Sequence, residues 1–374
     1  MYAKMRDGKE VKPYTGDGSV EFDLPLDFLA LIKIFIRMYG NLIATFASGT
    51  PVARQGSVMN SVLSSIRLSI GGDVIKSASP EMFRIQNLLV NKFAPMLRAT
   101  AGASATNNAA TDIAGGASVS YGTTGQYQNF EEHLTLFCMI PWVEKLSEQY
   151  STAVRTKGLT ECKLELVQQA ALTIRDGANT APVVYSGLSA LKFVVDYEEL
   201  KEDAKGELDN ESFYKSLETY RQIQQSHTFS GENDTNTVDL NGRTGRIMCQ
   251  IFKLRDGAAG SATTATSKLA NDAIITKMDV WGDDSERYAD SSWRGFKGVM
   301  KQLKGYSAPL TNGVGEDTGV SGIFWVNKNK GEAIDVRKHK TLQLVFKSEA
   351  QATATDYGTE GAVLKILTDY ITTR

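Results

Sequence analysis

Side chains that could carry catalysis or bind a metal are few and widely spaced in this sequence. None of the three histidines, His133, His227 and His339, stands at metal-ligand spacing from a cysteine, a carboxylate or another histidine. His133 lies in a strand-like stretch, where a hydrogen-bonded structural histidine is favoured over a ligand. No P-loop, GxSxG or GxGxxG motif occurs. The sequence therefore predicts no catalytic residue, no metal and no cofactor.

Two pairs of neighbouring carboxylates are further candidates for chemistry. Glu131 and Glu132 are adjacent in a strand-like run, so their side chains point to opposite faces, which does not suit paired acid–base work. Asp283 and Asp284 follow a turn glycine, where solvated turn carboxylates are favoured and a calcium site between molecules is the alternative. Because no two carboxylates converge, a polysaccharide hydrolase or lyase is the least favoured function.

Cysteines and tryptophans say more about packing than about chemistry. Cys138, Cys162 and Cys249 are far apart, form no CxxC pair and lie in apolar runs. This pattern favours buried free thiols and folding in a reducing compartment. Trp142 and Trp325 occur in the similar stretches IPWVEK and IFWVNK. Packing in a core or at a corner is the favoured role of both indoles, and a platform for stacking sugars is the alternative.

Charge is balanced over the whole chain but basic at its N-terminus. Lys and Arg total 41 against 43 Asp and Glu, and the net charge of -2 argues against direct coating of nucleic acid. Lys4, Arg6, Lys9 and Lys12 are candidates for contact with anionic lipid or a neighbouring molecule, a disordered tail being the alternative. Each such charge contributes about 1 kcal/mol near an anionic membrane. A second basic cluster, RKHK at 337–340, is predicted to be a solvated turn.

Neither a leader nor a membrane-spanning segment is expected. The N-terminal stretch MYAKMRDGKEVKPYTGDG lacks the apolar core of a signal peptide. The most apolar run, FLALIKIFI, is interrupted by Lys33 and is too short for a bilayer, which takes about 20 residues.

Alternating apolar and polar residues predict that most of the chain is β-structure. The alternation is clearest at 20–24, 32–38, 66–70, 134–140, 191–197, 274–280, 342–346 and 364–370. Four helices are also predicted. One begins at Pro80 after the N-cap Ser79, a second follows the cap Asp290, and two more cover about residues 143–157 and 211–224.

The chain also repeats itself. Five pairs of similar segments occur in the same order in its two halves: 34–40 with 251–257, 70–84 with 280–294, 140–145 with 323–328, 164–167 with 342–345, and 191–197 with 364–370. The offset falls steadily from 217 (251 minus 34) to 173 (364 minus 191). We interpret this as a tandem duplication whose second copy has shorter loops. Much of the extra length lies at 99–126, which is rich in Ala, Gly, Ser, Thr and Asn and is predicted to be an exposed or mobile loop.

Many strands and few helices predict a mainly β protein with two tandem eight-stranded jelly-roll β-sandwiches and a few short helices. The predicted division is an N-terminal arm at 1–17, a first jelly roll at 18–200, a linker and helix at 201–224, and a second jelly roll at 225–374.

Five stretches of the first copy carry a resemblance: VEFDLPLDFLALIKIFIRMYGNL, VLSSIRLSIGGDVIKSASPEMFRIQNLL, EEHLTLFCMIPWVEK, TECKLELV and ALKFVVDYEEL. In this order, and with the duplication, the chain resembles the double jelly-roll major capsid proteins of tailless, internal-membrane bacteriophages, which are related in fold to the adenovirus hexon. The resemblance covers about residues 18–200 and most of 225–374. No single motif is diagnostic; the order of segments is.

The resemblance implies a non-catalytic structural role. Three chains would form a pseudo-hexameric capsomer of an icosahedral virion, with six jelly rolls around a threefold axis. Implied partners are other copies of the chain, neighbouring capsomers, minor capsid and vertex penton proteins, and an internal lipid membrane reached by the N-terminal arm. It further implies synthesis and assembly in the host cytoplasm, location in the virion capsid, and no sequence-specific binding of nucleic acid. The alternative is a tandem β-sandwich spike that binds carbohydrate or a receptor.

Overall fold

The computed structural model describes residues 2–27, 29–46, 52–53, 58–91, 97–101, 111–113, 120–121, 125–170, 174–175, 182–186, 190–201, 218–229, 235–240, 245–255, 274–283, 286–304, 319–326, 333–348 and 362–373. The predicted linker beyond Lys201 and much of the predicted loop at 99–126 therefore lie outside the described residues.

The first half of the chain contains sixteen strands and three short helices among the described residues. The strands are β1 Tyr2–Arg6, β2 Val11–Pro13, β3 Ser19–Asp23, β4 Ala30–Phe46, β5 Val52–Ala53, β6 Leu63–Ile70, β7 Asp73–Ala78, β8 Leu97–Ala101, β9 Thr111–Ile113, β10 Ser120–Tyr121, β11 Gly125–Phe137, β12 Val154–Arg155, β13 Cys162–Gln168, β14 Ile174–Arg175, β15 Pro182–Ser186 and β16 Lys192–Lys201. The helices are α1 Val58–Val62, α2 Pro80–Asn91 and α3 Leu146–Ser151.

The second half has fewer described strands than the first. Its described strands are β17 Glu218–Thr228, β18 Thr235–Asp239, β19 Arg246–Arg255, β20 Ile275–Gly282, β21 Glu286–Ser292, β22 Val320–Phe324, β23 Ile334–Asp335, β24 Leu342–Ser348 and β25 Val363–Thr373. Helix α4 spans Trp293–Lys304, and Val336–Lys338 form a 3-10 turn.

Both halves have the same strand order. In the first half one sheet runs β1-β16-β4-β11, with β2 also on β16, and the facing sheet runs β7-β6-β13-β3. In the second half the sheets run β17-β25-β19-β22 and β21-β20-β24-β18. Eight strands in two four-stranded layers per half make a jelly roll. The predicted fold class and the predicted duplication are confirmed.

Sheet register corrects several of the repeat pairs, as the first pair shows. Asp196 pairs with Phe35 in the first half, and its counterpart Asp369 pairs with Cys249 in the second. The resulting offset is 214 (249 minus 35), whereas matching 34–40 to 251–257 gives 217. The two offsets differ by three (217 minus 214), and because side chains alternate between faces, a shift by an odd number of residues would exchange the core and outer faces of the strand. That segment match is therefore wrong by three residues.

Each half has its own apolar core between its two sheets. In the first, Ile34, Ile36 and Met38 of β4 are completely buried. In the second, Phe252 and Leu254 of β19 fill the corresponding space. Burying apolar area at about 25 cal/mol per Å² is the main stabilising contribution in both sandwiches.

The two halves are joined through the sheets themselves. β7 and β17 pair in parallel, with Lys76 beside Gln222 and Ser77 beside Ile223, so one nine-stranded sheet passes through both halves. Met248, Cys249, Ile251 and Leu367 of the second half also belong to the first half's core cluster. The chain is therefore built as one packed body.

The helix predictions are partly corrected. α2 begins at Pro80 as predicted. α4 begins at Trp293, and the Oγ of Ser292 accepts a hydrogen bond of 3.0 Å from the N–H of Gly295, so Ser292 is the cap. The predicted cap Asp290 instead lies in β21 and pairs with Lys277 and Arg287.

Of two further predicted helices, one is shorter than predicted and the other is a strand where the structure describes it. The helix expected over about 143–157 is confined to Leu146–Ser151, and Val154–Arg155 form β12 against β4. Of the helix expected over 211–224, residues 218–224 lie in β17, because eleven residues of that strand pair with β25. The remainder, 211–217, lies outside the described residues.

Much of the predicted N-terminal arm is part of the first sheet. Tyr2–Arg6 and Val11–Pro13 both pair with β16. Within the segment predicted as a loop at 99–126, short strands occur at Thr111–Ile113 and Ser120–Tyr121. The residue limits of the four predicted divisions stay predictions.

Candidate functional site

The most unusual chemistry of the described chain lies where its two halves meet. β7, α2 and the corner that follows β11 belong to the first half, and β17 and β25 belong to the second. Each contributes fully or almost fully buried polar side chains to one network, which we call the junction cluster: Lys76, Gln86, Trp142, Tyr220, Gln222 and Asp369.

Asp369 is the centre of the junction cluster. Its Oδ2 accepts hydrogen bonds from the Tyr220 hydroxyl at 2.6 Å and the Trp142 Nε1 at 2.6 Å. The Nε2 of Gln86 donates to the same oxygen at 3.1 Å, and the Nε2 of Gln222 donates to Oδ1 at 3.0 Å. Four donors converge on one carboxyl group, which is the arrangement that suits its ionised form.

Lys76 supplies the matching positive charge. Its Nζ donates to the Oε1 of Gln222 at 2.9 Å and lies 3.9 Å from the centre of the Tyr220 ring. Gln222 thus bridges the ammonium group and the Asp369 carboxylate. Burial lowers the pKa of Lys76 to about 8, an effect that the Asp369 charge opposes. Burial raises the pKa of Asp369, while the hydrogen bonds from Tyr220, Trp142 and Gln222 act in the other direction.

Polar pairs surround this centre. Gln224 Oε1 accepts from the N–H and the hydroxyl of Ser79, at 2.8 and 2.9 Å. Lys365 Nζ lies 3.1 Å from Glu81, and Arg221 pairs with Asp73. Every one of these contacts joins the first half to the second.

Aromatic packing closes the junction. The Trp142 ring meets Phe324 of the second half edge to face, with 5.0 Å between ring centres. An interface with both apolar and hydrogen-bonded contacts opposes movement of one jelly roll along the other, because each displacement would leave a buried donor or charge without its partner. The junction cluster therefore fixes the position of one jelly roll on the other.

The four N-terminal basic residues are placed differently from one another. Arg6 pairs with Glu199 at 2.9 Å and Asp27 at 3.2 Å, and Lys12 pairs with Glu10. Lys4 and Lys9 are exposed. The structure therefore pairs Arg6 and Lys12 with carboxylates of the same chain and leaves two lysines exposed to solvent.

The histidines have structural partners. His133 lies 3.0 Å from Glu131, and His227 lies 3.0 Å from Asn236. The side chain of His339 is 6% exposed and contacts Tyr288 at 2.7 Å and Asp283 at 3.2 Å, so within the predicted solvated turn this imidazole is buried.

The carboxylate candidates are also accounted for. Glu132 is buried and accepts from the N–H of Met59 at 3.0 Å. Asp283 accepts from the N–H groups of Lys340 and Thr341, which lower the pKa of its carboxyl. Asp284 lies outside the described residues. Within the ranges that are described, no three His, Cys, Asp or Glu side chains are grouped as metal ligands, and no helix is long and apolar enough to cross a bilayer.

The packing predictions hold for cysteines and tryptophans. All three cysteines are free and buried, and burial raises the pKa of Cys138 and Cys162 to about 12. Trp142 is buried, and Trp325 is half-buried with its ring 6.5 Å from that of Tyr288.

Sequence reasoning missed the junction cluster apart from Trp142. Asp369 does stand in the repeated segment LKILTDY, opposite Asp196 of LKFVVDY. A further signal was Lys76, a lysine beside the core residues Ile75 and Ala78 of a short strand.

Comparisons with solved structures agree with this architecture. The major capsid protein of bacteriophage PM2 matches with a TM-score of 0.58 and 11% identity over 100% of this chain and 98% of its own. A chain of Sulfolobus Turreted Icosahedral Virus matches with a TM-score of 0.61 and 11% identity, covering 98% and 90%. A chain of the PBCV-1 virus capsid matches with a TM-score of 0.59 and 12% identity, covering 99% and 93%.

Sequence comparison adds nothing further. No protein-family model matches the chain, and no curated protein matches it in sequence. The similarity is thus one of fold, and it extends over nearly the full length of the chains compared. The chain has the double jelly-roll fold that these viral capsid proteins share.

Proposed function

We propose that this protein is the major capsid subunit of an icosahedral virus, and that it acts by assembly without catalysis. The observation that carries the proposal is the pair of equivalent jelly rolls fixed to each other through the junction cluster. Full-length similarity in fold to the major capsid protein of bacteriophage PM2 supports it.

The duplication has a geometric purpose in such a subunit. A shell built from hexagonal units needs six similar blocks around each position, and three chains with two blocks each provide them through threefold symmetry. Rigid attachment of the two blocks is essential, because rotation within one chain would open the ring. A buried charge pair at the junction serves this geometry.

Further partners are part of the proposal. Lys4 and Lys9 are exposed at the N-terminal edge, where they suit contact with anionic lipid of an internal membrane or with a neighbouring capsomer. Residues 99–126 would lie at the outer or interfacial surface. Minor capsid and vertex penton proteins would complete the shell after synthesis in the host cytoplasm.

Mass in solution tests the proposal. The purified chain is analysed by light scattering on a sizing column, and the same peak is imaged in negative stain. The expected result is three times the subunit mass of 40.8 kDa and particles with a hexagonal outline. A monomer across a range of salt and pH contradicts the proposal and favours a tandem spike, for which glycan binding is then measured.

A further inference from the structure

Helices α2 and α4 are equivalent in the duplication but have different surroundings. Ser79 and Ser292 each precede the first residue of their helix, so positions correspond at an offset of 213 (292 minus 79). α2 faces the second half, where Gln86 donates to the Tyr220 hydroxyl at 2.8 Å. The counterpart of Gln86 is Val299, which is 51% exposed.

The face of α4 that corresponds to the buried contact of α2 carries exposed apolar side chains. Leu303, four residues after Val299 and thus one turn away on the same face, is 41% exposed. Its counterpart Val90 is partly buried against the first core. α4 thus presents two large aliphatic side chains on the face that α2 uses to contact a neighbouring jelly roll.

The surface that receives α2 also has an exposed equivalent. In the second half, Tyr220 of β17 pairs with Ile371 of β25. The counterpart of Ile371 in the first half is Glu198, at the offset of 173 (371 minus 198), and Glu198 pairs with Met5 of β1. Met5 therefore occupies in the first half the place of Tyr220 in the second. Met5 is 53% exposed.

Val11 of β2 is equivalent to Gln224 of β17 in the same way. Gln224 pairs with Leu367, and Val11 pairs with Val194, the counterpart of Leu367 at the same offset. Val11 is 48% exposed. Six large apolar side chains are exposed among the described residues. Four of them lie on α4 or on β1 and β2, which are the counterparts of α2 and β17: Met5, Val11, Val299 and Leu303.

We propose that α4 of one chain docks on the β1–β2 edge of a second copy, as α2 docks on β17 within the chain. The proposal rests on the proposed capsomer and names its contact. The hydrogen-bonded pair Gln86 and Tyr220 becomes an apolar pair, Val299 against Met5 of the second copy. At this position polar meets polar inside the chain and apolar meets apolar between chains. Because two different surfaces meet, the contact is heterologous, and under the threefold symmetry of the proposed capsomer it closes after three copies.

The contact within the chain and the proposed contact between chains differ in one pair of charges. Glu81 and Lys365 attract within the chain, whereas their counterparts Arg294 and Lys192 carry like charges. Both counterparts are exposed, so solvent screens their repulsion. The contact between chains therefore depends on its apolar pairs.

Disulfide trapping tests the proposed contact. The double variant Met5→Cys with Val299→Cys is oxidised and run on a non-reducing gel. The native cysteines are buried and do not interfere. We expect a covalent closed trimer. The matched control is Met5→Cys with Leu146→Cys, since Leu146 is 47% exposed on α3, which has no part in the proposed contact, and this control is expected to remain a single chain.

A second measurement separates this inference from the proposed function. Val299→Glu is expected to weaken trimer formation by more than about tenfold, since it places a charge in an apolar contact, while Leu146→Glu leaves it unchanged. Trimers that form normally with Val299→Glu and give no cross-link would overturn the contact and leave the capsomer intact. A wild-type chain that never forms trimers would overturn both.

Discussion

Removal of the Asp369 carboxylate should destabilise the whole chain, because four donors from both halves converge on it. In Asp369→Ala the Tyr220 hydroxyl and the indole N–H of Trp142 lose an acceptor while they remain buried. Lys76 keeps its buried ammonium group and loses the opposing charge. The variant therefore disrupts the attachment of one jelly roll to the other.

The expected loss follows from those contacts. Each buried donor left unpaired costs about 1–3 kcal/mol, and breaking a buried ion pair by removing one partner costs about 3–5 kcal/mol. These costs overlap, because they describe the same desolvated groups, so we expect the free energy of unfolding to fall by about 4 kcal/mol. Urea unfolding followed by tryptophan fluorescence measures it, since Trp142 reports on the junction directly.

The duplication supplies the matched control. Asp196 occupies the equivalent place in β16 but is only half-buried, and its Oδ1 accepts one hydrogen bond, at 2.7 Å, from the N–H of Gly8. Asp196→Ala should cost about 1 kcal/mol. Equal losses for the two variants, or a loss below about 1 kcal/mol for Asp369→Ala, would refute the assignment of the junction cluster as the structural attachment.

Three more predictions concern single residues. With the pKa of Lys76 near 8 in the fold and 10.5 as its ordinary value, the unfolded chain binds more protons between those pH values. The wild-type free energy of unfolding should therefore rise there by up to about 3 kcal/mol relative to Lys76→Met, and a difference that stays constant with pH in urea titrations would contradict this. Ser292→Ala should lower the free energy of unfolding by about 1 kcal/mol through loss of the α4 cap. An unchanged melting temperature would contradict the assignment of Ser292 as the cap. Gly245 has φ of +123°, and a Cβ there would lie 2.1 Å from the Ile371 carbonyl oxygen. Gly245→Ala should therefore lower the free energy of unfolding by well above about 2 kcal/mol, and by more than Gly72→Ala, whose Cβ would meet open space. Equal losses for the two variants in urea unfolding would contradict this prediction.

Local periodicity was enough to predict most of the fold. Strands such as Ser19–Asp23 and Leu342–Ser348 alternate cleanly between core and solvent, and that pattern is a property of neighbouring residues alone. The duplication was visible for the same reason, since equivalent strands bury equivalent residues.

Predictions failed where a distant partner decides the structure. Tyr220 has helical spacing from other apolar residues, yet β17 pairs along its whole length with β25, almost 150 residues away. The junction cluster depends on still longer separations, such as the 283 residues between Gln86 and Asp369. No local pattern encodes such a contact, so Asp369 could be identified only once the two halves were placed together.

The arrangement of jelly rolls in the assembled particle tests the central claim most directly. Electron cryo-microscopy of the purified oligomer is expected to show three chains and six jelly rolls in a ring, with the junction cluster inside each chain and α4 against the next chain. A map with any other number of chains, or with the two jelly rolls of one chain separated from each other, would contradict the account.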